Sequence, residues 1–379
     1  MKVVKGDLRG RSQRQTCDRL IARKVLRKEV MKMGKLTLTA KVPSKLSVLV
    51  THRCNQTCEF CFDASNVVSA RAFGDISDKT VERLVQVLAA SGVSKEKNFN
   101  VTLSGGEPTL HPRFFEILAR FSDAGYALTV LSNGQAFADE AFVQRLLKYH
   151  LWNVQVAIEG STAATHDARV GCPGAFNRCV KGIKNLLANR VRFITNTTIT
   201  RTSIDEMYRI IDLLDELGVP KMNIGNMLPE CCARNHALLM EYPDVVTIAE
   251  NLNLYALTKR IDFSFITPLP LCLKNHRFIS NPSVCSAGAY SLIMDPSGQF
   301  RPCSTWTFPG ADYPNVHGVA TIEEVRLTMK GIVQSWVGSH IPTECSTCED
   351  LLTCRAACPL YWAVAGARTP NCWAATGAP

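Results

Sequence analysis

KLSVLVTHRCNQTCEFC, residues 45–61, joins an apolar run to three cysteines spaced four and then three residues apart. KLSVLV reads as a β-strand, and the thiols fall on the loop that follows it. Clustered cysteines commonly mean a disulfide framework in a secreted chain or half of a zinc site. The N-terminus, MKVVKGDLRGRSQRQ, is basic and polar with no apolar signal segment behind it. The thiols are therefore expected to stay reduced, in a cytoplasmic setting. Sixteen cysteines in 379 residues then point to metal or cluster ligation rather than bridges.

Outward from this stretch, strands and helices alternate. DKTVERLVQVLAASG (78–92) reads as a helix opened by Ser77 or Asp78 and closed by Gly92. NVTLSGGEP is a strand and loop, PRFFEILARFSDAG (112–125) a helix with Pro in its first turn, YALTVLSNG a strand and EAFVQRLLKYH a helix. WNVQVAIEG (152–160), AFNRCVKGIKNLLAN (175–189), RFITNTTIT (192–200), SIDEMYRIIDLLDELG (203–218) and KMNIGNML (221–228) carry the pattern through a sixth strand. Apolar strands alternating with helices imply a parallel sheet whose functional groups lie at the strands' C-terminal ends. Cys54 to Cys61 follow strand one, Gly105, Gly106 and Glu107 end strand two, Ser132 and Asn133 end strand three, and Glu159 ends strand four. The expected fold is α/β, a partial (β/α)6 TIM-like barrel in which these four loops meet at one mouth.

Composition is ordinary for a globular chain, 46% hydrophobic and 20% charged, and no window approaches the roughly 20 apolar residues of a spanning helix. The net charge of +10 is concentrated in residues 1–36, with twelve Lys and Arg against three Asp and Glu. Ala22, Leu26, Val30 and Met33 recur there at helical spacing, predicting a basic amphipathic helix. It reads first as a helix packed on the body, and second as a binder of an acidic peptide, a nucleotide or a membrane surface. No interleaved aromatics support nucleic-acid binding. The expected divisions are a basic extension (1–40), the barrel (41–235), a bridging segment (236–284) and a small C-terminal domain (285–379). The last holds seven of the sixteen cysteines and suggests a unit held by ligands.

The chain resembles the radical S-adenosylmethionine enzymes, whose main signature is C-x3-C-x2-C after strand one with SGGEP after strand two. The resemblance implies that Cys54, Cys58 and Cys61 ligate three irons of a [4Fe-4S] cluster, leaving the fourth for the amino and carboxylate groups of S-adenosylmethionine. One electron, from a reductant such as flavodoxin or ferredoxin, then cleaves that molecule to methionine and a 5'-deoxyadenosyl radical. It also implies that Phe60 lies beside the adenine, that Gly105, Gly106 and Glu107 receive the methionine amino group, and that Ser132 and Asn133 line the cofactor. AIEGSTAATHDARVG (157–171) resembles the family's strand-four pattern, with Arg169 placed for the methionine carboxylate. Ala157 and Glu159 depart from it, standing where the pattern has Ser and Asp. The plainer alternative for Arg169 is a surface salt bridge.

Cys285, Gly298, Cys303, then CSTCEDLLTCRAAC (345–358) and Cys372 resemble the seven-cysteine SPASM domain. That resemblance implies two auxiliary [4Fe-4S] clusters. One would use Cys345, Cys348, Cys354 and Cys372; the other Cys285, Cys303 and Cys358, with either Cys272 or substrate at its last iron. Taken alone, residues 345–358 read equally well as a zinc ribbon, and Cys272 as a packed thiol. Cys17, Cys172, Cys179, Cys231 and Cys232 read as packed thiols. Cys231 and Cys232, following strand six, are also candidate hydrogen-atom donors.

Enzymes of this two-domain kind mostly abstract hydrogen from a residue of a peptide. Peptide modification is therefore the first reading, oxidation or epimerisation of a sugar or aminocyclitol the second, and a non-catalytic iron–sulfur electron carrier the third. Ser304 occupies the place of the Asp base of sulfatase maturases, which argues against that subfamily. The roughly 40 residues ahead of strand one are fewer than the ~80 of a winged-helix leader reader, so a separate reader protein or the basic tail would take that role.

Overall fold

The computed structural model describes residues 44–62, 74–93, 99–228, 236–273, 284–306 and 312–365. The expected basic helix, Cys231, Cys232 and Cys372 lie outside them. The expected alternation is present as β1 (Lys45–Leu49), α1 (Asp78–Ala90), β2 (Asn100–Ser104), α2 (Phe114–Asp123), β3 (Ala127–Ser132), α3 (Glu140–Leu146) and β4 (Leu151–Ala157). It continues with α4 (Ala163–Val170), α5 (Ala175–Ala188), β5 (Phe193–Ile199), α6 (Ile204–Glu216) and β6 (Lys221–Asn226). Local chemistry sets the ends. Ser77 Oγ accepts the Thr80 amide at the start of α1, and α4 opens on a Thr162–Thr165 capping box and stops at Gly171 with φ +61°.

The alternation runs one unit further than expected. The segment read as a bridge, with a helix expected around residues 243–258, forms that helix as α7 (Tyr242–Ala256) and adds β7 (Asp262–Phe265), which pairs parallel with β6. DFSF is four residues long and soon meets Pro268 and Pro270, too short a run for periodicity to identify as a strand. On the other flank, β8 (Ser291–Met294) pairs parallel with β1, and β9 (Phe300–Arg301) pairs antiparallel with β8. Among the described residues the sheet order is β7-β6-β5-β4-β3-β2-β1-β8-β9, open at both ends.

One sheet face packs against the helices: Val48, Leu103, Val130 and Val156 are fully buried, as are Leu84, Leu118, Ile183 and Ile210. The other face is half-buried and polar. Asn223 Nδ2 donates to Asn196 Oδ1 (3.1 Å), and Asn196 Nδ2 donates to Gln155 Oε1 (3.0 Å), forming an amide row across three strands. The C-terminal region adds α8 (Ile322–His340) and α9 (Pro359–Ala365), with short helical turns at Thr343–Ser346 and Leu351–Cys354. It is fastened to α1: Arg83 Nη2 donates to Val319 O (2.7 Å), and the Ile322 amide donates to Ser91 Oγ (2.8 Å). Among the described residues no helix is long and apolar enough to cross a membrane.

Candidate active site

Parallel strands all finish at one edge, so the loops after β1 to β4 converge there. The loop after β1 is stitched to the loop after β2 by backbone bonds, Gly106 N–H to Thr51 O (2.8 Å) and Glu107 N–H to Arg53 O (2.7 Å). A Cβ at Gly105 would collide with Thr51 O, and one at Gly106 with Arg53 O, so the two glycines permit this approach. Further along, Thr57 N–H donates to Val170 O (2.9 Å), Glu59 N–H to Arg169 O (3.1 Å) and Cys61 N–H to Cys58 O (3.2 Å). Cys54, Cys58 and Cys61 are half-buried on this pinned loop.

Glu107 is buried and is the hub of the next two loops. Its carboxylate accepts from Asn133 N–H (2.7 Å), Ser132 Oγ (2.9 Å), Thr109 Oγ1 (2.6 Å) and Thr109 N–H (3.2 Å). Burial raises its pKa and these hydrogen bonds oppose the rise. Ser132 and Asn133, expected as separate cofactor contacts, are thus bound to Glu107. Asn133 Nδ2 also donates to Asn55 Oδ1 (2.7 Å) between the first two cysteines.

After β4, Arg169 spans three elements. Its side chain is only 10% exposed, so it is no surface salt bridge. Nη1 donates to Glu159 O (2.7 Å) and Nη2 to Thr198 O (2.6 Å); Nε stands 3.4 Å from Glu59 Oε1, and the guanidinium lies 5.1 Å from the Phe60 ring centroid. Glu159 Oε2 accepts Thr198 N–H (3.0 Å) and lies 3.5 Å from Arg169 Nη1. Burial pushes its carboxyl up to about 8 despite the neighbouring arginine. The Glu159 amide donates to His166 Nδ1 (3.1 Å), which makes Nδ1 the acceptor nitrogen of that ring.

Sequence reasoning missed Glu206 on α6. Its carboxylate accepts from Ser161 N–H (2.6 Å), Ser161 Oγ (2.8 Å), Thr165 Oγ1 (2.6 Å) and Arg209 Nη1 (3.1 Å), and so holds the loop that carries Glu159 and starts α4. Its place one turn before buried Ile210 was a readable sign that it borders the packed face. Arg209 is a readable i,i+3 partner, but the Ser161 and Thr165 donors lie more than 40 residues away, where no local pattern announces them.

The first three thiols fit a multi-iron cluster. They lie close enough for their charges to act on one another; burial pushes Cys54 up to about 12 and Cys58 higher still. Such thiols stay protonated until a metal displaces the proton. Among the described residues no three His, Cys, Asp or Glu side chains converge on a single-ion site. Between the first two cysteines, Asn55 accepts from Asn133 Nδ2 and Gln56 Oε1 accepts from Cys58 Sγ (3.6 Å); Phe60, next to Cys61, lies under the Arg169 guanidinium.

A second group of thiols gathers in the C-terminal region. Cys285 and Cys358 are buried, Cys303 is half-buried, and their charges also act on one another. Burial pushes Cys303 up to about 11. Cys345 and Cys348 share a turn, with Cys348 N–H donating to Cys345 O (3.2 Å). Cys272 is exposed on the turn Leu271–Leu273, whose Leu271 N–H reaches Cys354 Sγ (3.4 Å). That places Cys272 beside the Cys354 segment.

Residues 48–228 match the family model of the Radical SAM superfamily. Over 187 residues the chain is 30% identical to an AdoMet-dependent heme synthase of Methanosarcina barkeri, covering 49% of this chain and 51% of that one. The chain thus spans about half the length of that relative. It is 23% identical over 320 residues to the PqqA peptide cyclase of Ruegeria pomeroyi, covering 82% and 81% of the two chains. Among solved structures, Streptococcus suis SuiB bound to S-adenosylmethionine aligns with a TM-score of 0.68 at 17% identity, covering 89% of this chain and 80% of that one. SuiB bound to its precursor peptide SuiA aligns with the same score at 16% identity, covering 88% and 75%. These likenesses agree with the parallel sheet of a partial TIM-like barrel.

Proposed function

We propose, starting from the match of residues 48–228 to the Radical SAM superfamily model, that this chain reductively cleaves S-adenosylmethionine and abstracts hydrogen from a peptide substrate. The observation that carries the reading is the pinned loop of Cys54, Cys58 and Cys61 at the mouth, facing the Glu107 hub and the Arg169 bridge. When bound, the [4Fe-4S] cluster supplies the electron for cleavage. The chain's own residues do the rest. The loop fixes three sulfurs, the Gly105–Gly106 approach keeps strands one and two together, and Phe60 offers an apolar face. Arg169, already committed to two carbonyls, brings positive charge to the mouth without side-chain freedom.

Peptide modification is favoured over the alternatives by the PqqA peptide cyclase relative and by the SuiB fold. The Gln155–Asn196–Asn223 row supports an uncharged, hydrogen-bonding substrate and offers no cation for a triphosphate. A sugar or aminocyclitol meets the same floor and is the second reading. Cys285, Cys303 and Cys358 are read as ligands of one auxiliary cluster, and Cys345, Cys348, Cys354 and Cys372 of another. Cys272 is read as the candidate fourth ligand of the first set, the alternative being an iron left open for substrate, although its neighbour Leu271 contacts Cys354 of the second. The setting is a reducing compartment, with a flavodoxin or ferredoxin as electron donor.

The test is deoxyadenosine formation by anaerobically reconstituted, dithionite-reduced protein. Replacing Cys54, Cys58 and Cys61 with Ala should reduce it to background while C-terminal cluster absorbance persists. Full cleavage by the triple variant, or none by the reconstituted parent, rejects the reading.

A further inference from the structure

Tyr242, at the start of α7, sits among the thiols read as ligands of the first auxiliary cluster and has no role assigned so far. It is 0% exposed, and its ring centroid lies 4.0 Å from that of Tyr361 and 5.3 Å from that of Trp362. Its oxygen accepts the Cys358 amide at 3.1 Å and is near enough to Cys358 and Cys285 for their charges to reach it. That bond uses a lone pair and leaves the O–H to donate, in a buried pocket shared with those sulfurs. Tyr361 differs, since its hydroxyl donates to Glu241 Oε2 (2.7 Å).

Cys358 is held firmly from its other side. Arg355, Ala356 and Ala357 have φ of +54°, +53° and +62°, a left-handed turn without glycine. Left-handed backbone is costly for residues that carry a Cβ and persists where the surroundings over-determine it. Here Arg355 Nη1 donates to Cys285 O (3.0 Å), and Trp362 Nε1 donates to Ala356 O (2.6 Å). The strained turn and the tyrosine therefore fix Cys358 between them.

We propose that the Tyr242 hydroxyl is the hydrogen-bond donor that sets the reduction potential of a cluster held by Cys285, Cys303 and Cys358. The inference rests on the auxiliary-ligand reading above. A donor to a cluster sulfur stabilises the more negative reduced state, and removing it lowers the potential. Tyr242 is thus a positioning and tuning residue, outside the ligand set.

The experiment is an EPR-monitored redox titration of the full-length, anaerobically reconstituted protein, with iron counted beforehand. Tyr242→Phe should retain its iron and shift one auxiliary signal to lower potential, by a reduced-to-oxidised ratio about tenfold smaller at fixed poise, or about 59 mV for one electron. The signal of the Cys54, Cys58 and Cys61 cluster should stay in place, and Tyr361→Phe should shift nothing. An unchanged auxiliary midpoint in Tyr242→Phe overturns the proposal, as does an equal shift in Tyr361→Phe. If Tyr242→Phe loses the cluster, Tyr242→3-fluorotyrosine decides, because its more acidic hydroxyl should raise the potential and an unmoved midpoint overturns the proposal. A parent protein with iron for one cluster only, yet active in cleavage, removes the auxiliary reading and this inference with it, while leaving the barrel chemistry standing.

Discussion

Two trios of thiols are assembled by different means. Cys54, Cys58 and Cys61 lie within eight consecutive residues, on a loop whose carbonyls accept amides of the loop after β2 and whose amides donate to the end of α4. Cys285, Cys303 and Cys358 come from three separate segments and meet only because β8, β9 and the left-handed turn before α9 pack together. The first site is made by hydrogen bonds and sequence spacing. The second depends on burial and on a strained turn, so bound metal should contribute far more to holding it.

The largest expected effect breaks or confirms that contrast directly. Chelating the iron from reconstituted protein should lower amide-exchange protection in 285–306 and 343–362 by about a thousandfold or more, because ligand binding there is coupled to order. Protection in 46–52 and 101–106 should change by less than about threefold. Equal losses in both regions would abolish the distinction.

A smaller effect probes the hydrogen-bonded side. Gly106→Ala puts a methyl against the carbonyls of Arg53 and His52, backbone atoms that cannot swing aside. Urea unfolding should show a loss of about 3 kcal/mol, at the upper end of overpacking costs. A stable variant would mean that the cysteine loop can detach from the loop after β2 without harm.

The smallest effect is a pH dependence. Burial depresses His166 from 6.5 to about 4, so between those values the unfolded chain binds the proton and the folded chain does not. Stability should be intact above pH 6.5 and fall by at most about 3 kcal/mol as pH drops toward 4. His166→Gln should flatten this part of the urea-derived profile. A parallel profile in the variant would place the acid sensitivity elsewhere.

Much of the barrel was legible because its signals are local. Apolar runs, caps at Ser77 and Thr162 and the C-x3-C-x2-C spacing are fixed within a few residues of chain. They place six strands, the cysteine loop and the convergence of four loops at one edge. The roles within the mouth were less legible. The sequence reads Ser132, Asn133 and Glu107 as each facing a cofactor, yet the Ser132 hydroxyl and the Asn133 amide are both bound to the Glu107 carboxylate. Glu206 escaped notice because a carboxylate in a helix's first turn is usually a solvated charge favoured by the helix dipole.

The sequence by itself determined the alternating α/β order and the thiol-bearing loop after the first strand, because covalent spacing and side-chain periodicity act over short range. Only the tertiary structure decided that β7 and β8 extend the sheet on opposite flanks, that Arg169 bridges Glu159 and Thr198, and that Tyr242 stands against Cys358. Those outcomes depend on which distant strands share register and which polar groups lose water together. Such choices are settled by burial and hydrogen-bond satisfaction across the whole fold, where neighbours in space are far apart in the chain.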